Sequence, residues 1–371
     1  TEPEPILLRL PDGRISRLKS FVYGLKQASY EWYETMRDVL LAAGYVKTAD
    51  PCLFKKIHAD DQMYICIHVD DIFSIATSDS MHDELDAVLA EAFEQGEDKP
   101  LTRHVGNTLA YLKLRIVVNE DHTVSVDQMA YIAKVIDEWG YGNGTAAQKF
   151  GLKLIDENDQ GINTHPLQGT YAPHEDDDVA LDSTWYRGVV GALNYAAQMT
   201  RPDLLYAMSV LAEHANAPTR LQWRMLKRVM RYLVGTNDRK LTYNSDKDWE
   251  VTVYADASYA TRSGARSQTG YCISLGKDNA VFYAKSQKQN LVTLSSTEAE
   301  YVALHHAATE VVYFRRLMKS LDIEQTQPTV IFQDNQSTIL WANGQRNHAR
   351  TKHLLVKYHF IGDLIQDGVV E

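Results

Sequence analysis

Cysteine is scarce in this sequence. Cys52, Cys66 and Cys272 are the three in 371 residues. Their number is odd, their spacings are wide and no CxxC pair occurs, which excludes a disulfide framework and a zinc knuckle. Cys66 and Cys272 sit in apolar, strand-like runs, where a thiol serves as a small hydrophobe. Long apolar runs are missing too, and no basic start followed by an apolar core reads as a signal peptide. A soluble intracellular protein without a membrane partner is therefore expected. There is no internal repeat and no low-complexity tract. Positive charge is in deficit: 38 Lys and Arg against 49 Asp and Glu leave a net charge of −11. A chain that coats nucleic acid through bulk charge is excluded. A nuclease or polymerase is not, because such enzymes cluster carboxylates to hold metal and keep basic residues local.

What is present suits a folded chain of two or three domains: 371 residues, 44% of them hydrophobic. The first ten residues, TEPEPILLRL, offer no cap or turn before their apolar run, so the chain is expected to begin inside a fold. Ser29 to Ala43 repeats Trp32, Met36, Val39 and Leu40 at helical spacing, and Gly44 marks the stop. Cys52 to Ile57 and Met63 to Ile67 read as strands. The second runs into His68-Val69-Asp70-Asp71 and then Ile72 to Ile75, a hairpin pattern with an acidic turn. Met81 to Phe93 is helical and Leu109 to Val118 strand-like. Residues 140–182 are rich in Gly, Asn, Asp and Thr and read as a linker or long surface loop. Two helical stretches follow, Trp185 to Gln198 and about Pro218 to Val234. The last block orders three strands (Glu250 to Ala257, Gly270 to Leu275, Ala280 to Ala284), a long helix (Ser296 to Leu321), a strand (Thr329 to Phe332) and more helix. That order is mixed α/β.

Three carboxylates in this block attract attention. Asp256 falls in VTVYAD where a strand should continue. It either ends the strand at a turn or is a carboxylate that needs a partner. Ser295 and Glu298 fit the S-x-x-E capping box, which gives Glu298 a structural task. Glu300 has no such task. It heads the stripe Ala303, Ala307, Val311, Phe314, Met318, Leu321, so it faces the sheet and calls for a partner such as a metal ion. Two residues apart are roughly 200° apart around a helix, so the two glutamates cannot share a role. Asp334, after TVIFQ, either caps the following helix or joins the other two. Together the three would form an oxygen-rich site for Mg²⁺, with Mn²⁺ as a substitute, and two such ions can activate water and stabilise the leaving oxygen of a phosphodiester.

YADASYA, SxxGYCISL, AKSQKQ, SSTEAEYVAL, FQDNQSTI and RTKH…KYHF resemble, in that order, the ribonuclease H domain of copia-type retrotransposon polyproteins. SFVYGLKQASYEWY is similar to the same family's reverse transcriptase palm, HVDD resembles its tyrosine–valine–aspartate–aspartate box, and GALNYAAQMTRPDLLYAMSVL its connecting region. The resemblance implies an α/β chain. An α+β palm fragment at 1–118 would precede a thumb or connection region at 119–245 and a ribonuclease H-like mixed-sheet domain at 246–371. It implies that Asp256, Glu300 and Asp334 bind metal in the nuclease and that Asp70 and Asp71 do so in the polymerase remnant. Gln27 would lie near the incoming nucleotide and the template. Trp32 and Tyr33 read as core aromatics. The partner implied is an RNA–DNA hybrid or a primer–template, and the location cytoplasmic, in virus-like particles where the element is complete. Arg220, Arg224, Lys227 and Arg231 share a helix face that either tracks a hybrid's phosphates or is simply solvated.

The sequence departs from the family pattern in four places. His68 replaces a tyrosine and Lys113, in YLKLRI, a glycine. The palm needs a further aspartate in a strand before YGLKQ. The 22 residues before Tyr23 hold one, Asp12, in the turn-like Pro-Asp-Gly-Arg. Leu355 stands where the fourth nuclease carboxylate belongs, with Asp363 and His353 as candidate substitutes. The expectation is an active ribonuclease H with an incomplete polymerase site. The alternative is an inactive remnant that at most binds nucleic acid.

Overall fold

The computed structural model describes residues 7–9, 11–17, 26–93, 102–169, 175–244, 249–344 and 355–371. The chain divides into two compact units, Thr1–Arg103 and His104–Glu371. Among the described residues no helix is long and apolar enough to cross a membrane.

In the first unit a small hairpin, β1 (Leu7–Arg9) and β2 (Ile15–Arg17), brackets the Pro-Asp-Gly-Arg turn. Then come α1 (Lys26–Ala42), β3 (Val46–Lys47), β4 (Leu53–His58), β5 (Asp61–His68), β6 (Asp71–Ala76) and α2 (Asp79–Phe93). The strands form an antiparallel sheet in the order β3-β4-β5-β6. Met36 and Leu40 from α1 and Met81, Leu85 and Leu89 from α2 bury against Phe54, Met63, Ile65 and Ile67. The period-2 burial of β5 and the helical spacing in α1 and α2 thus meet in one core. Trp32 and Tyr33, read as core aromatics, are half-buried and pack against this core from its edge.

The second unit begins with β7 (Thr108–Tyr111), β8 (Leu114–Val118) and β9 (Val124–Asp127). The stretch read as one strand, Leu109 to Val118, is a hairpin whose two turn residues, Leu112 and Lys113, have φ of 48° and 62°. Two left-handed residues in a row make the turn that suits a twisted hairpin, and glycine is the residue that takes this conformation without strain. The departure at Lys113 therefore falls where the backbone favours the family's glycine.

Next come α3 (Met129–Val135), α4 (Thr145–Phe150), α5 (Ser183–Met199), α6 (Leu205–Ala212) and α7 (Arg220–Gly235), and β10 (Leu241–Tyr243) closes a sheet in the order β10-β9-β8-β7. Asp182 caps α5 by accepting from the Trp185 N–H at 2.7 Å, and Gln222 caps α7 by accepting from the Thr219 N–H at 2.8 Å. The described residues of 140–182, read as a linker or long surface loop, are largely irregular but anchored at a few points. Leu154, Ile155 and Leu167 are each 1% exposed in the helical core, and the Ile162 N–H donates to the Arg231 carbonyl at 3.0 Å. Gly161 and Gly235 let the two backbones approach so closely that a Cβ on Gly161 would come within 2.6 Å of Gly235. The polar composition of the segment concealed these few anchors.

The last sheet comprises β11 (Val251–Arg262), β12 (Arg266–Leu275), β13 (Val281–Lys288) and β14 (Ile331–Phe332), in the order β13-β12-β11-β14. The first three strands run antiparallel, and β14 lies parallel to β11. The helix α8 (Ser296–Ser320) covers one face, followed in the chain by α9 (Gln336–Ala342) and α10 (Leu355–Gln366). Ala307, Val311, Phe314 and Met318 from the predicted stripe meet Val251, Val253, Tyr271 and Ile273. A second side of α8, with Tyr301, Val302 and Leu304, packs on Trp341, Ala342 and Ile361. The helix is buried on more of its circumference than a single stripe implies. The mixed α/β class expected for the chain is the class observed.

Candidate metal centre and nucleic-acid surfaces

Asp256 lies within β11, paired across the ladder with Gly270 of β12, and the strand continues to Arg262. The turn alternative for Asp256 therefore fails. Its side chain is exposed while its neighbours Ala255 and Ala257 are buried, the alternation of a strand with one covered face. Asp334 follows β14. The cap of α9 is not Asp334 but Asn335, whose side chain accepts from the Thr338 N–H at 3.0 Å. With the capping position filled, Asp334 stays exposed.

On α8 the two glutamates diverge as their spacing requires. The Ser295 hydroxyl accepts from the Glu298 N–H at 3.2 Å, and the Glu298 carboxylate accepts from the Leu294 N–H at 2.7 Å. The side chain closes the helix start one residue earlier than a standard capping box. Glu300 is 5% exposed, and each of Asp256, Glu300 and Asp334 offers one carboxylate oxygen within 4.8 Å of the other two. Among the described residues this is the one group of three or more acidic, His or Cys side chains so arranged.

Burial pushes the Glu300 carboxyl up to about 7, and the neighbouring Asp256 and Asp334 charges add to it. Hydrogen bonds from the Gln333 side chain and the Ala257 backbone partly offset this rise. No cation stands among these leading influences. Like charges gathered around a buried carboxylate without a positive neighbour are costly unless a cation joins them. All three donors are carboxylates, the hard oxygen ligands that Mg²⁺ and Mn²⁺ prefer. The site fits such ions.

Gln333 was not singled out in the sequence. Its amide donates to Glu300 Oε2 and to the Ala255 carbonyl, both at 3.3 Å, and accepts from the Asn335 N–H at 2.9 Å. FQDN placed the residue beside Asp334, but nothing local signals a bond that spans 33 residues.

Leu355 is the first residue of α10, and its side chain lies outside the described residues, as does all of His353. Asp363 is exposed on α10 and is not part of the three-carboxylate group.

In the first unit Asp70 and Asp71 are exposed at the tip of the β5–β6 hairpin, where His68 pairs with Asp71. Val69 at this turn has φ 56°, a left-handed position that a β-branched residue rarely takes. The Trp32 indole donates to the Val69 carbonyl. Among the described residues no third acidic, His or Cys side chain joins the two aspartates in a metal-sized group. Asp12 is held by Arg14 in its own exposed turn. The Gln27 side chain lies outside the described residues.

The basic face of α7 is not an open phosphate track. Lys227 pairs with Asp159 at 2.9 Å, Arg224 with Asp177 and, at 3.9 Å, with Asp176, and Arg231 donates to the Gln160 carbonyl at 3.0 Å. Arg220 is exposed with its guanidinium over the Trp223 ring. Of the two alternatives for this face, a phosphate track or a solvated surface, neither accounts for these contacts: three of the four cations are engaged within the chain, by Asp177, Asp159 and the Gln160 carbonyl.

The fold and this site define a class. The reverse transcriptase (RNA-dependent DNA polymerase) family matches residues 7–149. The chain is 31% identical over 96% of its length to the "Retrovirus-related Pol polyprotein from transposon RE2" of Arabidopsis thaliana. It is 30% identical, again over 96%, to that of transposon RE1 from the same plant, and 27% identical over 98% to that of transposon TNT 1-94 of Nicotiana tabacum. It spans 23%, 23% and 27% of those polyproteins. A foamy viral protease-reverse transcriptase solved with dsDNA shares the fold, with a TM-score of 0.50 and 12% identity over 97% of this chain and 60% of that one. Over nearly its whole length the chain is similar to copia-type retrotransposon Pol polyproteins, and its residues 7–149 match the reverse transcriptase family.

Proposed function

We propose that residues from about 246 onward form a ribonuclease H-type nuclease that hydrolyses the RNA strand of an RNA–DNA hybrid. Asp256, Glu300 and Asp334 would hold the divalent ions, Mg²⁺ or its substitute Mn²⁺. The observation that carries this reading is the convergence of the three carboxylates from β11, α8 and the β14–α9 junction to within 4.8 Å. Such ions, when bound, supply a nucleophile at neutral pH and Lewis acidity toward the phosphodiester. The chain's part would be to hold Asp256 on β11 and Asp334 at the β14–α9 junction exposed, and Glu300 buried between them. With its carboxyl raised to about 7 by burial and the neighbouring aspartates, Glu300 would give up its proton near neutral pH. Leucine at position 355 leaves one ligand fewer than the family pattern, so the expected nuclease is weak and needs high Mg²⁺.

The test is cleavage of a hybrid carrying a labelled RNA strand. Asp256→Asn, Glu300→Gln and Asp334→Asn should each abolish cleavage while the protein stays folded. Full activity in any of the three would contradict the assignment. A folded wild-type chain that binds hybrid without cutting it would favour the inactive-remnant reading, which Leu355 and the two isolated palm aspartates support.

For the first unit, the exposed pair Asp70 and Asp71, without a third ligand among the described residues, supports a polymerase site that is incomplete in this chain. The purified chain alone should not extend a primer. Template-dependent extension that Asp71→Asn abolishes would refute this.

A further inference from the structure

The three carboxylates arrive on separate elements, and one side chain touches all three segments that carry them. Gln333 reaches Glu300 itself, the Ala255 carbonyl next to Asp256, and the Asn335 N–H next to Asp334. Its amide orientation is fixed by chemistry. A backbone N–H can only donate, so the Asn335 N–H must face the amide oxygen, which turns Nε2 and its two hydrogens toward Glu300 and Ala255.

We propose that Gln333 is a positioning residue. It holds the Glu300 carboxylate and the edge of β11 in register with Asp334, so the three ligands are gathered before an ion arrives. This rests on the nuclease reading given above.

Two features favour the assignment over a role in the turn alone. The cap of α9 is already supplied by Asn335, so the Gln333 amide is not needed to start the helix. Its two donors are spent on a carboxylate 33 residues away and a carbonyl 78 residues away, not on local turn atoms. The residue type also matters. Lysine or arginine here would neutralise Glu300 and compete with a divalent cation. An apolar residue would remove this bond and leave the carboxylate to its remaining hydrogen bond from the Ala257 backbone. A neutral amide orients the ligand without adding charge, as expected of a group that supports a metal ligand from behind.

The experiment uses the full chain and two variants, Gln333→Met, which keeps length and removes both donors, and Gln333→Ala, which removes the side chain. Mn²⁺ binding is followed by electron paramagnetic resonance of the free ion, the Mg²⁺ midpoint of hybrid cleavage is measured, and thermal melting in the absence of metal monitors the fold. The expected result is an Mn²⁺ dissociation constant and a Mg²⁺ midpoint both raised about tenfold. The cleavage rate at saturating Mg²⁺ should stay within about threefold of wild type, since the lost order is restored by mass action. An unchanged Mn²⁺ dissociation constant in either folded variant overturns the inference, and so does a lowered melting temperature with no change in ion binding. A wild-type chain that neither binds Mn²⁺ nor cleaves overturns the nuclease reading itself, and that outcome is distinct because it appears before any variant is made.

Discussion

Glu298 and Glu300 are both buried, yet their carboxylates meet opposite surroundings. Glu298 accepts from a backbone N–H, a role that glutamine can also fill. Glu300 faces Asp256 and Asp334, and its carboxyl is raised from an ordinary 4.5 to about 7. A raised carboxyl means that the folded state binds a proton the unfolded state has released. Stability of the ion-free protein should therefore fall as pH rises from about 4.5 to about 7, then level off. Glu300→Gln removes that loss. At pH 8 without metal the variant should be more stable than wild type by about 2–3 kcal/mol in urea unfolding, while hybrid cleavage disappears. Glu298→Gln should keep cleavage. The reverse pattern between the two variants would refute the division of roles. At this scale the sequence was informative where a residue's local task was visible. The capping spacing of Ser295 and Glu298 exposed Glu300 as the carboxylate without a task. Asp256 and Asp334 were ambiguous because a strand end and a helix cap are local alternatives, and only the pairing with Gly270 and the cap at Asn335 removed them.

Among the elements, α7 carries a basic face whose partners within the chain are distant in sequence. Arg224, Lys227 and Arg231 do share a face, but the partners are Asp177, Asp159 and the Gln160 carbonyl, between 47 and 71 residues away for Arg224 and Arg231. Part-buried ion pairs of this kind hold a loop more than they bind a ligand. Arg224→Ala and Lys227→Ala should each lower stability by about 1 kcal/mol and leave hybrid affinity within about twofold of wild type in fluorescence anisotropy. A large loss of affinity, with a salt dependence shallower by about one unit per residue removed, would restore the face as a phosphate track. The long helices α1, α2, α5, α7 and α8 were readable from period, but the hairpin of β7 and β8 read as one strand. The segment 140–182 was not readable this way, because anchors such as Leu154, Ile155 and Leu167 are too few and too unevenly placed to give a period.

For the whole molecule, the chain is two compact units within about a quarter of its relatives' polyprotein length. The first unit carries the exposed pair Asp70 and Asp71, and the second the gathered triad Asp256, Glu300 and Asp334. Family motifs made both legible in the sequence, but only a fold could show that the triad closes to within 4.8 Å. Leu355→Asp adds the carboxylate that the family pattern places at the start of α10. It should raise the rate of hybrid cleavage and lower the Mg²⁺ requirement, because an extra oxygen ligand offsets the second ion's charge. Unchanged rate and metal dependence would mean that position 355 does not reach the triad.

The most direct measurement is a single reaction. The purified chain is incubated with an RNA–DNA hybrid labelled on both strands, in high Mg²⁺ and in parallel with excess chelator. Shortening of the RNA strand alone, in Mg²⁺ alone, is the expected result. An intact RNA strand at every Mg²⁺ concentration, or cleavage that persists in chelator, would contradict a metal-dependent nuclease built on Asp256, Glu300 and Asp334.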